Sequence, residues 1–197
     1  MLPPSVSVGM AENPAAAQIS QRLDWVPDAR LAALPTIAAD GYRCCMRYFA
    51  SGVNVITARD GEARAGLTAT AVCSVTADPP RMVVFVNRNV LASDVVMRSG
   101  ALCVNLLAAD QEEVARVFAG MHKDVRGEDR FRYGTWGEAI TGSPVLEGAL
   151  ASFDCRVIKV FEESTHRAFV CEVLATAERN DAESLIYLNG VFRSLPL

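Results

Sequence analysis

The sequence of residues 66–80 is Gly66-Leu67-Thr68-Ala69-Thr70-Ala71-Val72-Cys73-Ser74-Val75-Thr76-Ala77-Asp78-Pro79-Pro80. Four hydroxyl side chains lie within the nine positions from Thr68 to Thr76, although the segment is apolar enough to be buried. A strand that only filled a core would carry Val, Ile and Leu instead. Gly66 permits a turn or a close approach that a Cβ atom would hinder, and Asp78-Pro79-Pro80 ends the segment because proline cannot donate to a sheet. The pattern predicts a strand, a ledge of small residues facing a ligand, and a second strand; the alternative is a threonine-rich edge strand.

Further strands and turns are predicted on both sides of this segment. Apolar runs predict strands at residues 53–58, 63–67, 81–87, 101–107, 149–161, 166–177, 185–188 and 191–195. Asp60-Gly61 and Asn189-Gly190 indicate hairpin turns, and the short link 162–165 indicates a third hairpin. Helical spacing predicts helices at residues 28–34, 37–50, 91–98 and 110–120. Together these elements predict a mainly β protein, a β-barrel with a few helices.

Three polar residues within these elements lead to specific predictions. Asp110 is predicted to cap helix 110–120, with Glu113 completing a variant of the capping box. Asn105 interrupts a buried strand, and a buried Asn needs hydrogen-bond partners. Those partners are either backbone groups or a ligand.

The 197-residue chain fits one domain preceded by a leader. Residues 1–35 are predicted to be that leader, partly flexible or packed on a partner subunit, and residues 36–197 the folded domain. The chain has 19 Lys and Arg against 23 Asp and Glu, which gives no electrostatic reason to expect nucleic acid. No apolar run approaches the roughly 18–20 residues of a membrane span, and residues 1–9 lack the pattern of a signal peptide. We therefore expect a cytoplasmic protein with no membrane partner.

The familiar sequence motifs for metals, nucleotides and nucleophiles are absent. The six Cys and two His include no C-x-x-C pair, so neither a zinc site nor a disulfide framework is predicted. There is no G-x-G-x-x-G, Walker A loop or G-x-S-x-G elbow. What remains is the hydroxyl ledge, Asn87-Arg88-Asn89 at a strand end, and His166 at a strand start. Such a set suits a phosphorylated aromatic ligand.

Nine short motifs occur in a fixed order along the chain, at residues 53–58, 66–76, 78–80, 86–87, 103–107, 118–120, 144–146, 165–166 and 185–187. In this order and spacing they resemble the short-chain NAD(P)H:flavin oxidoreductases of the FMN-binding split-barrel class. The resemblance is closest to the reductase component of two-component aromatic hydroxylases of the 4-hydroxyphenylacetate 3-monooxygenase type. It extends over residues 40–195.

The resemblance implies a homodimer of Greek-key split β-barrels with flavin near the subunit interface. It assigns flavin contacts to Thr68, Ala69, Thr70, Ala71, Phe118, Ala119 and Gly120. It assigns the phosphate side of the flavin to Asn87, Arg88, Asn89 and Ser93. His166 would contact the nicotinamide nucleotide or the flavin face, and Tyr187 and Arg193 are further candidates. The chain departs from similar proteins at Val90-Leu91, where Ser or Thr often follow, and at Ser164, where many have Gly.

The reaction implied is hydride transfer from C4 of NADH or NADPH to N5 of FMN or FAD, in which the cofactors carry the chemistry. His166 is the candidate catalytic residue. The reduced flavin would leave for a separate monooxygenase, such as an aromatic hydroxylase. Two alternatives stay open at this point. One is a flavoprotein that keeps FMN tightly bound and acts on its own substrate, and the other is a non-catalytic flavin-binding or electron-carrier protein.

Overall fold

The computed structural model describes Val26 and residues 28–196. The chain divides into two compact units, Met1–Ala38 and Ala39–Leu197. In the first unit the described element is the short helix α1 (Ala29–Ala32), which begins where Asp28 accepts a hydrogen bond from the Arg30 N–H at 2.8 Å. This helix is the central part of the one predicted at 28–34, whereas most of the predicted leader lies outside the described residues. None of the described helices is long and apolar enough to cross a membrane.

The described part of the second unit is built mainly from antiparallel strands. Its α-helices are α2 (Ala39–Met46), α3 (Leu91–Ser99) and α4 (Glu112–Phe118), and 3₁₀ segments span Ala109–Gln111 and Gly127–Arg132. Its strands are β1 (Ser51–Gly52), β2 (Asn54–Asp60), β3 (Ala63–Ala69), β4 (Val72–Ala77), β5 (Pro80–Asn87), β6 (Ala101–Leu106), β7 (Trp136–Glu138), β8 (Pro144–Leu146), β9 (Ala151–Glu163), β10 (His166–Glu178), β11 (Ser184–Leu188) and β12 (Val191–Leu195).

Seven of these strands form one sheet in the order β3-β2-β6-β9-β10-β5-β4. β3 and β4 lie at opposite ends of that order, yet the chain joins them through Thr70 and Ala71 alone. Because three Cα–Cα steps reach at most about 11 Å, the two edge strands come together and the sheet curls into a barrel that is split between them. The non-sequential neighbours β2–β6, β6–β9 and β10–β5 are Greek-key connections. The predicted Greek-key split barrel is therefore confirmed.

The barrel interior is filled by alternate side chains of its strands. In β5 the buried residues are Met82, Val84 and Val86, whereas the intervening Phe85 faces outward and is exposed. This is the period of two that a strand imposes. Helix α3 adds Val95 and Val96 to the same apolar cluster.

A second apolar cluster packs on the other face of β2. Its members come from β2, α4, β8, β11 and the segments between strands and helices, and include Val53, Val55, Leu107, Val114, Val117, Phe118, Phe131 and Leu185. Ile56 and Ala58 of the same strand belong to the barrel interior. β2 is thus covered on both faces, which explains why residues 53–58 are all buried rather than alternately buried and exposed.

The predicted hairpins are present, with one shift in register. β2 and β3 turn at Gly61-Glu62, one residue beyond the predicted Asp60-Gly61. Asn189 and Gly190 have φ values of 53° and 82°, as a type I′ turn requires. Ser164, in the turn between β9 and β10, has a φ of 52°. Glycine adopts that conformation without strain, which explains its place there in similar proteins.

The strand that begins at Val72 ends at Ala77, before Asp78-Pro79-Pro80, as predicted. Asp78 and Pro79 form the turn between β4 and β5, and Pro80 is already the first residue of β5, paired with Ala77. The predicted start of the next strand, at Arg81, was wrong by one residue, because the first position of a strand tolerates proline.

The predicted cap of helix 110–120 was also wrong. The segment begins as the 3₁₀ turn Ala109–Gln111, and α4 starts only at Glu112. The Gln111 Oε1 atom accepts from the Ala108 N–H at 3.2 Å. Asp110 instead forms an ion pair at 3.0 Å with Arg179, which follows β10. The Asp110 carboxylate therefore binds an arginine that is distant in sequence, although local spacing predicted that it would cap the helix.

The apolar face predicted for helix 37–50 is present but uncovered. Helix α2 is shorter than predicted, and each of its side chains is at least partly accessible. Tyr42, Met46 and, just after the helix, Phe49 are exposed. This face has no protein neighbour within the described single chain that buries it.

Three of the four cysteines in the strands of the barrel, Cys103, Cys155 and Cys171, are buried and unpaired, whereas Cys73 of β4 is exposed. Burial raises the pKa of the Cys103 and Cys171 thiols to about 12 in each case. They therefore stay protonated and serve as small apolar side chains.

Candidate functional site

The ledge (residues 68–71) lies where the chain leaves β3 and enters β4. Thr68 is still in β3, and its Oγ1 donates to the Ala115 carbonyl of α4 at 2.7 Å. Thr70 and Ala71 belong to neither strand and are exposed. The Ala71 carbonyl accepts from the Phe85 N–H at 3.0 Å, which fixes the start of β4 on β5. The four residues therefore face two different environments rather than one continuous surface.

A cleft of about 360 Å³, called the smaller cleft, lies on one side of the ledge. Its walls are β3, the start of α3, the end of α4 and the second 3₁₀ segment, through Ala65, Gly66, Leu67, Thr68, Val90, Leu91, Ala92, Phe118, Ala119, Gly127 and Arg130. Three of these elements are far apart in sequence. The cleft therefore exists only because the barrel brings them together.

The back of the smaller cleft is held by a contact between Gly66 and Phe118. A Cβ atom at Gly66 would lie 2.7 Å from Cε1 of Phe118 and 3.0 Å from the Ile56 carbonyl oxygen. The ring of Phe118 is itself fixed, 5.2 Å edge-on from Phe131 and 5.4 Å from Trp136. Gly66 lies within β3, paired with Thr57. The interpretation of Gly66 as a turn was wrong; it permits the close approach instead.

Arg130 supplies the positive charge of the smaller cleft. Its Nε atom is buried without a hydrogen-bond partner, and its Nη1 donates to the Gly66 carbonyl at 3.4 Å. No carboxylate of the described chain forms a salt bridge with it. A buried N–H without a partner is uncommon in folded proteins, so the guanidinium has donors left over for an anion.

The first turn of α3 faces the same cleft through Val90, Leu91 and Ala92. No side chain caps this helix. The N–H groups of a first helical turn have no partner within the helix and, with the helix dipole, favour a negative charge. Arg130 and the start of α3 together suit a phosphate.

Ser93 lies behind this turn rather than in the cleft. It is fully buried, and its Oγ accepts from Nη1 of Arg167 at 3.0 Å. Arg167 also forms an ion pair with Asp94 at 2.9 Å. The hydrogen bond that Arg167 donates to Asp94 raises the pKa of Arg167 further above its ordinary value, so Arg167 is charged at any physiological pH. Arg167 thus ties α3 to β10, next to His166.

The ends of β5 and β10 bring together candidates that are far apart in sequence. His166 pairs with Asn87 in the sheet, and the Arg88 N–H donates to the Thr165 carbonyl at 3.0 Å. The Asn87 Oδ1 accepts from the Asn89 N–H at 2.9 Å and shapes the loop into α3. The His166 ring is exposed, with Nδ1 at 2.9 Å from Oγ1 of Thr165.

A second cleft, of about 780 Å³ and called the larger cleft, lies on the other side of the ledge. Its lining is formed by α2 and the residues after it, by β1 and by the β11–β12 hairpin, through Asp40, Arg43, Cys44, Met46, Arg47, Phe49, Ser51, Thr70, Tyr187 and Gly190. Thr70 is the ledge residue that reaches it.

The predicted site residues are distributed over these surfaces. Thr68, Phe118 and Ala119 line the smaller cleft, and Thr70 and Tyr187 line the larger one. Asn87, Arg88, Asn89 and His166 meet at the ends of β5 and β10, beside Ser93. Ala69 and Ala71 flank Thr70. Gly120 follows α4 and has a φ of 75°. Arg193 lines neither cleft.

Sequence reasoning missed Arg130 and the start of α3. Arg130 lies in a highly charged stretch, residues 122–132, that had the composition of a solvated loop. Nothing in that composition distinguishes Arg130 from Arg126 or Arg132, because only the packing of the 3₁₀ segment against β3 turns one of them inward. The signal that was available is Phe131, an aromatic residue that anchors the segment in the core.

Comparison with known proteins agrees with this arrangement. Residues 46–196 match the family model described as a flavin reductase like domain. An FMN reductase (NADH), RutF 2, from Methylorubrum extorquens (strain PA1) is 44% identical over 160 residues, which cover 81% of this chain and 91% of that protein. An FMN reductase (NADH), RutF, from Stutzerimonas stutzeri (strain A1501) is 42% identical over 161 residues, covering 82% of this chain and 90% of that protein. The structure of BorF, the flavin reductase component of a bacterial two-component tryptophan halogenase, superimposes with a TM-score of 0.74 and 31% identity over 81% of this chain and 99% of BorF.

Proposed function

Because the chain belongs to the flavin reductase like domain family, we propose that this flavin reductase uses NADH to reduce free FMN and releases the product to a separate monooxygenase. The relatives that are similar over most of the chain are named FMN reductase (NADH), and BorF serves a two-component halogenase. The observation that carries the proposal is the Arg130 guanidinium, which no carboxylate of the described residues pairs with, in the smaller cleft beside the uncapped start of α3.

In this proposal the smaller cleft holds the phosphate end of the flavin. Arg130 and the first-turn N–H groups of α3 bind the phosphate. Arg88 is exposed just before α3 in the sequence, and its charge attracts the phosphate over a longer distance. The ledge residues Thr70 and Ala71, which belong to neither strand, offer backbone groups to the ring system.

The chemistry is supplied by the two cofactors: bound flavin accepts a hydride from the nicotinamide. The task of the chain is to bind both molecules side by side and to keep water from between them. In this proposal His166 orients the nicotinamide or stabilises negative charge on the reduced flavin; its pairing with Asn87, next to Arg88, supports that role. No other acid or base is required of the protein.

We further propose that two chains form a homodimer and that the enzyme acts in the cytoplasm, where NADH is available. Support for a dimer comes from the apolar side chains that the single chain leaves exposed. They lie on and after α2 and on the outer face of the barrel, as Tyr42, Met46, Tyr48, Phe49, Phe85 and Phe161. An apolar surface of this extent favours burial against another protein.

The proposal is tested by steady-state oxidation of NADH and of NADPH in the presence of FMN, FAD or no added flavin. We expect turnover that depends on added FMN and is faster with NADH. Purification with stoichiometric FMN, and turnover that ignores added flavin, would instead identify a flavoprotein acting on its own substrate. Flavin binding without any oxidation of either nucleotide would leave a flavin-binding or electron-carrier protein.

Replacement of Arg130 by Met is expected to raise the Kd for FMN roughly 10- to 100-fold, because a hydrogen bond to a charged group is worth about 1.5–3 kcal/mol. Binding of riboflavin, which lacks the phosphate, should change less than twofold. Both affinities are measured by quenching of flavin fluorescence. Arg132→Met is the matched control, since its side chain is exposed and paired with Asp129. An equal loss for FMN and riboflavin would contradict a phosphate contact.

Replacement of His166 by Ala is expected to lower kcat for NADH-dependent FMN reduction about tenfold, because loss of one stabilising contact at a reacting group lowers the rate by one or more orders of magnitude. The Kd for FMN should change less than threefold. His122→Ala is the control, because the His122 Nε2 atom lies 3.1 Å from Oε1 of Glu113 on α4 rather than at the start of β10. Stopped-flow reduction and fluorescence titration measure the two quantities. Unaltered kcat in the His166 variant would remove the residue from the reaction.

A further inference from the structure

We propose that the ion pair between Arg64 of β3 and Glu128 of the second 3₁₀ segment positions Arg130 for the flavin phosphate. This inference rests on the proposed function, because it names two positioning residues for the phosphate site of that reaction. Neither Arg64 nor Glu128 lines the smaller cleft, so both act through Arg130. The inference starts from the contacts that hold the 3₁₀ segment (Gly127–Arg132) against the barrel.

The first of these contacts binds both carboxylate oxygens of Glu128. The Arg64 backbone N–H donates to Oε1 of Glu128 at 2.7 Å, and Nε of Arg64 donates to Oε2 at 3.0 Å. Nη2 of Arg64 lies 2.9 Å from the same Oε2 atom. Paired, charge-assisted contacts of this kind fix the relative geometry of the two residues. The start of the segment is therefore fixed on β3.

The second contact is between Arg64 and Phe131. The guanidinium carbon of Arg64 lies over the Phe131 ring, 4.5 Å from its centroid, and a cation is attracted to an aromatic face at this distance. The Phe131 ring is 6% exposed and packs edge-on against Phe118 at 5.2 Å. One arginine thus holds the segment at Glu128 and at Phe131, on both sides of Arg130 in the sequence.

The Arg130 side chain has few contacts of its own. It makes one hydrogen bond to the described part of the chain, from Nη1 to the Gly66 carbonyl at 3.4 Å, which is longer than an ordinary N–H···O bond. A long side chain that is not held must be ordered when a ligand binds, and this ordering lowers the affinity. By fixing the backbone from which Arg130 extends, the Arg64–Glu128 pair reduces that loss before the phosphate arrives.

The charge of Glu128 separates positioning from simple electrostatics. A carboxylate close to the cleft repels a phosphate, so Glu128→Gln should tighten FMN binding if charge alone matters. If the ion pair positions Arg130, the same variant should weaken FMN binding. The two explanations therefore predict changes of opposite sign.

The neighbouring strand carries a matched control pair. Arg59 of β2 lies opposite Arg64 in the β2–β3 register and forms an ion pair with Glu138 of β7. The two arginine side chains are equally exposed, at 31%, and the two glutamates are exposed at 50% and 51%. Neither Arg59 nor Glu138 lines either cleft. Glu138→Gln therefore removes an equivalent ion pair without touching the 3₁₀ segment.

The test measures the Kd for FMN and for riboflavin, by quenching of flavin fluorescence, in Glu128→Gln, Glu138→Gln, Arg130→Met and the double variant of Glu128 and Arg130. We expect Glu128→Gln to raise the Kd for FMN about fivefold, the cost of ordering one side chain on binding, and to change that for riboflavin less than twofold. In the Arg130→Met background, Glu128→Gln should change the Kd for FMN less than about twofold, because the residue that it positions is gone. Glu138→Gln should change each value less than about twofold.

Three results would overturn the inference: unchanged or tighter binding of FMN by Glu128→Gln, an equal loss for FMN and riboflavin, or an effect of Glu128→Gln that persists in the Arg130→Met background. If Glu128→Gln fails to fold, Arg64→Lys decides, because it keeps the charge and loses the paired donors. A rise of about two- to threefold in its Kd for FMN supports the inference, and an unchanged Kd overturns it. Failure of the proposed function is separate: an unaltered protein that binds FMN through these residues but does not oxidise NADH with added FMN refutes that function alone.

Discussion

Replacement of Asn105 by Leu is expected to lower the free energy of unfolding by about 3–4 kcal/mol, because each buried polar group left without a partner costs about 1–3 kcal/mol. Asn105 is fully buried in β6. Its Nδ2 donates to the Val55 carbonyl at 3.0 Å and to Oγ1 of Thr57 at 3.2 Å, and its Oδ1 accepts from the Leu146 N–H at 2.8 Å. One amide thereby joins β6, β2 and β8.

Urea unfolding measures this effect. Asn180→Leu is the control, since Asn180 is exposed after β10 and a surface change of this kind stays within about 0.5 kcal/mol. Leu has the same branched arrangement of side-chain heavy atoms as Asn and is bulkier, so a large loss of stability does not report a cavity. A loss below about 1 kcal/mol for Asn105→Leu would mean that water or a relaxed backbone satisfies the orphaned groups.

Replacement of Gly66 by Val is expected to destabilise the fold by about 3 kcal/mol and to abolish FMN binding, because overpacking of a filled core costs about 1–3 kcal/mol. The added Cβ would overlap Cε1 of Phe118 at 2.7 Å and Cδ1 at 2.9 Å. Phe118 is only 2% exposed and is wedged between Phe131 and Trp136. Its ring cannot yield except toward the smaller cleft, where the flavin would bind.

A double-mutant cycle tests the cause of this loss. The double variant combines Gly66→Ala with Phe118→Leu, which shortens the side chain that the new Cβ would overlap. Because the two residues are in contact, Phe118→Leu should restore part of the stability that Gly66→Ala alone removes. Gly41→Ala is the control, and it should stabilise the fold rather than destabilise it. Nothing lies within 4 Å of a Cβ at this position, and Ala favours a helix over Gly by about 1 kcal/mol. Additive effects of the Gly66 and Phe118 changes would refute the contact as the cause.

Several parts of the site were predictable from sequence for a common physical reason. Alternation of apolar side chains, turn residues and helix stops are local properties, since they depend on backbone geometry within a few residues. The hairpin at Asn189-Gly190 follows from residues that tolerate positive φ. The ledge was visible because hydroxyl groups are unusual in an apolar strand, and its place in an ordered series of motifs identified the family.

Other parts depended on which strands become neighbours, and local patterns do not encode that. Local spacing predicts that Asp110 caps a helix, but in the fold it pairs with Arg179, 69 residues away. The face of α2 has the spacing of a buried helix but is uncovered in the single chain. Both outcomes are decided by competition between local preferences and contacts with distant residues.

The sequence by itself determined the barrel, its hairpins, the family and the importance of residues 66–80. Only the tertiary structure decided how that segment is used. The chain leaves one edge of the sheet at Ala69 and enters the other edge at Val72, so closure of the barrel places Thr68 and Thr70 in different clefts. Closure also sets Phe118 against Gly66 and Arg130 against the Gly66 carbonyl. The physical reason is that such contacts join residues remote in sequence, and they form only when strand pairing and core packing have fixed the backbone.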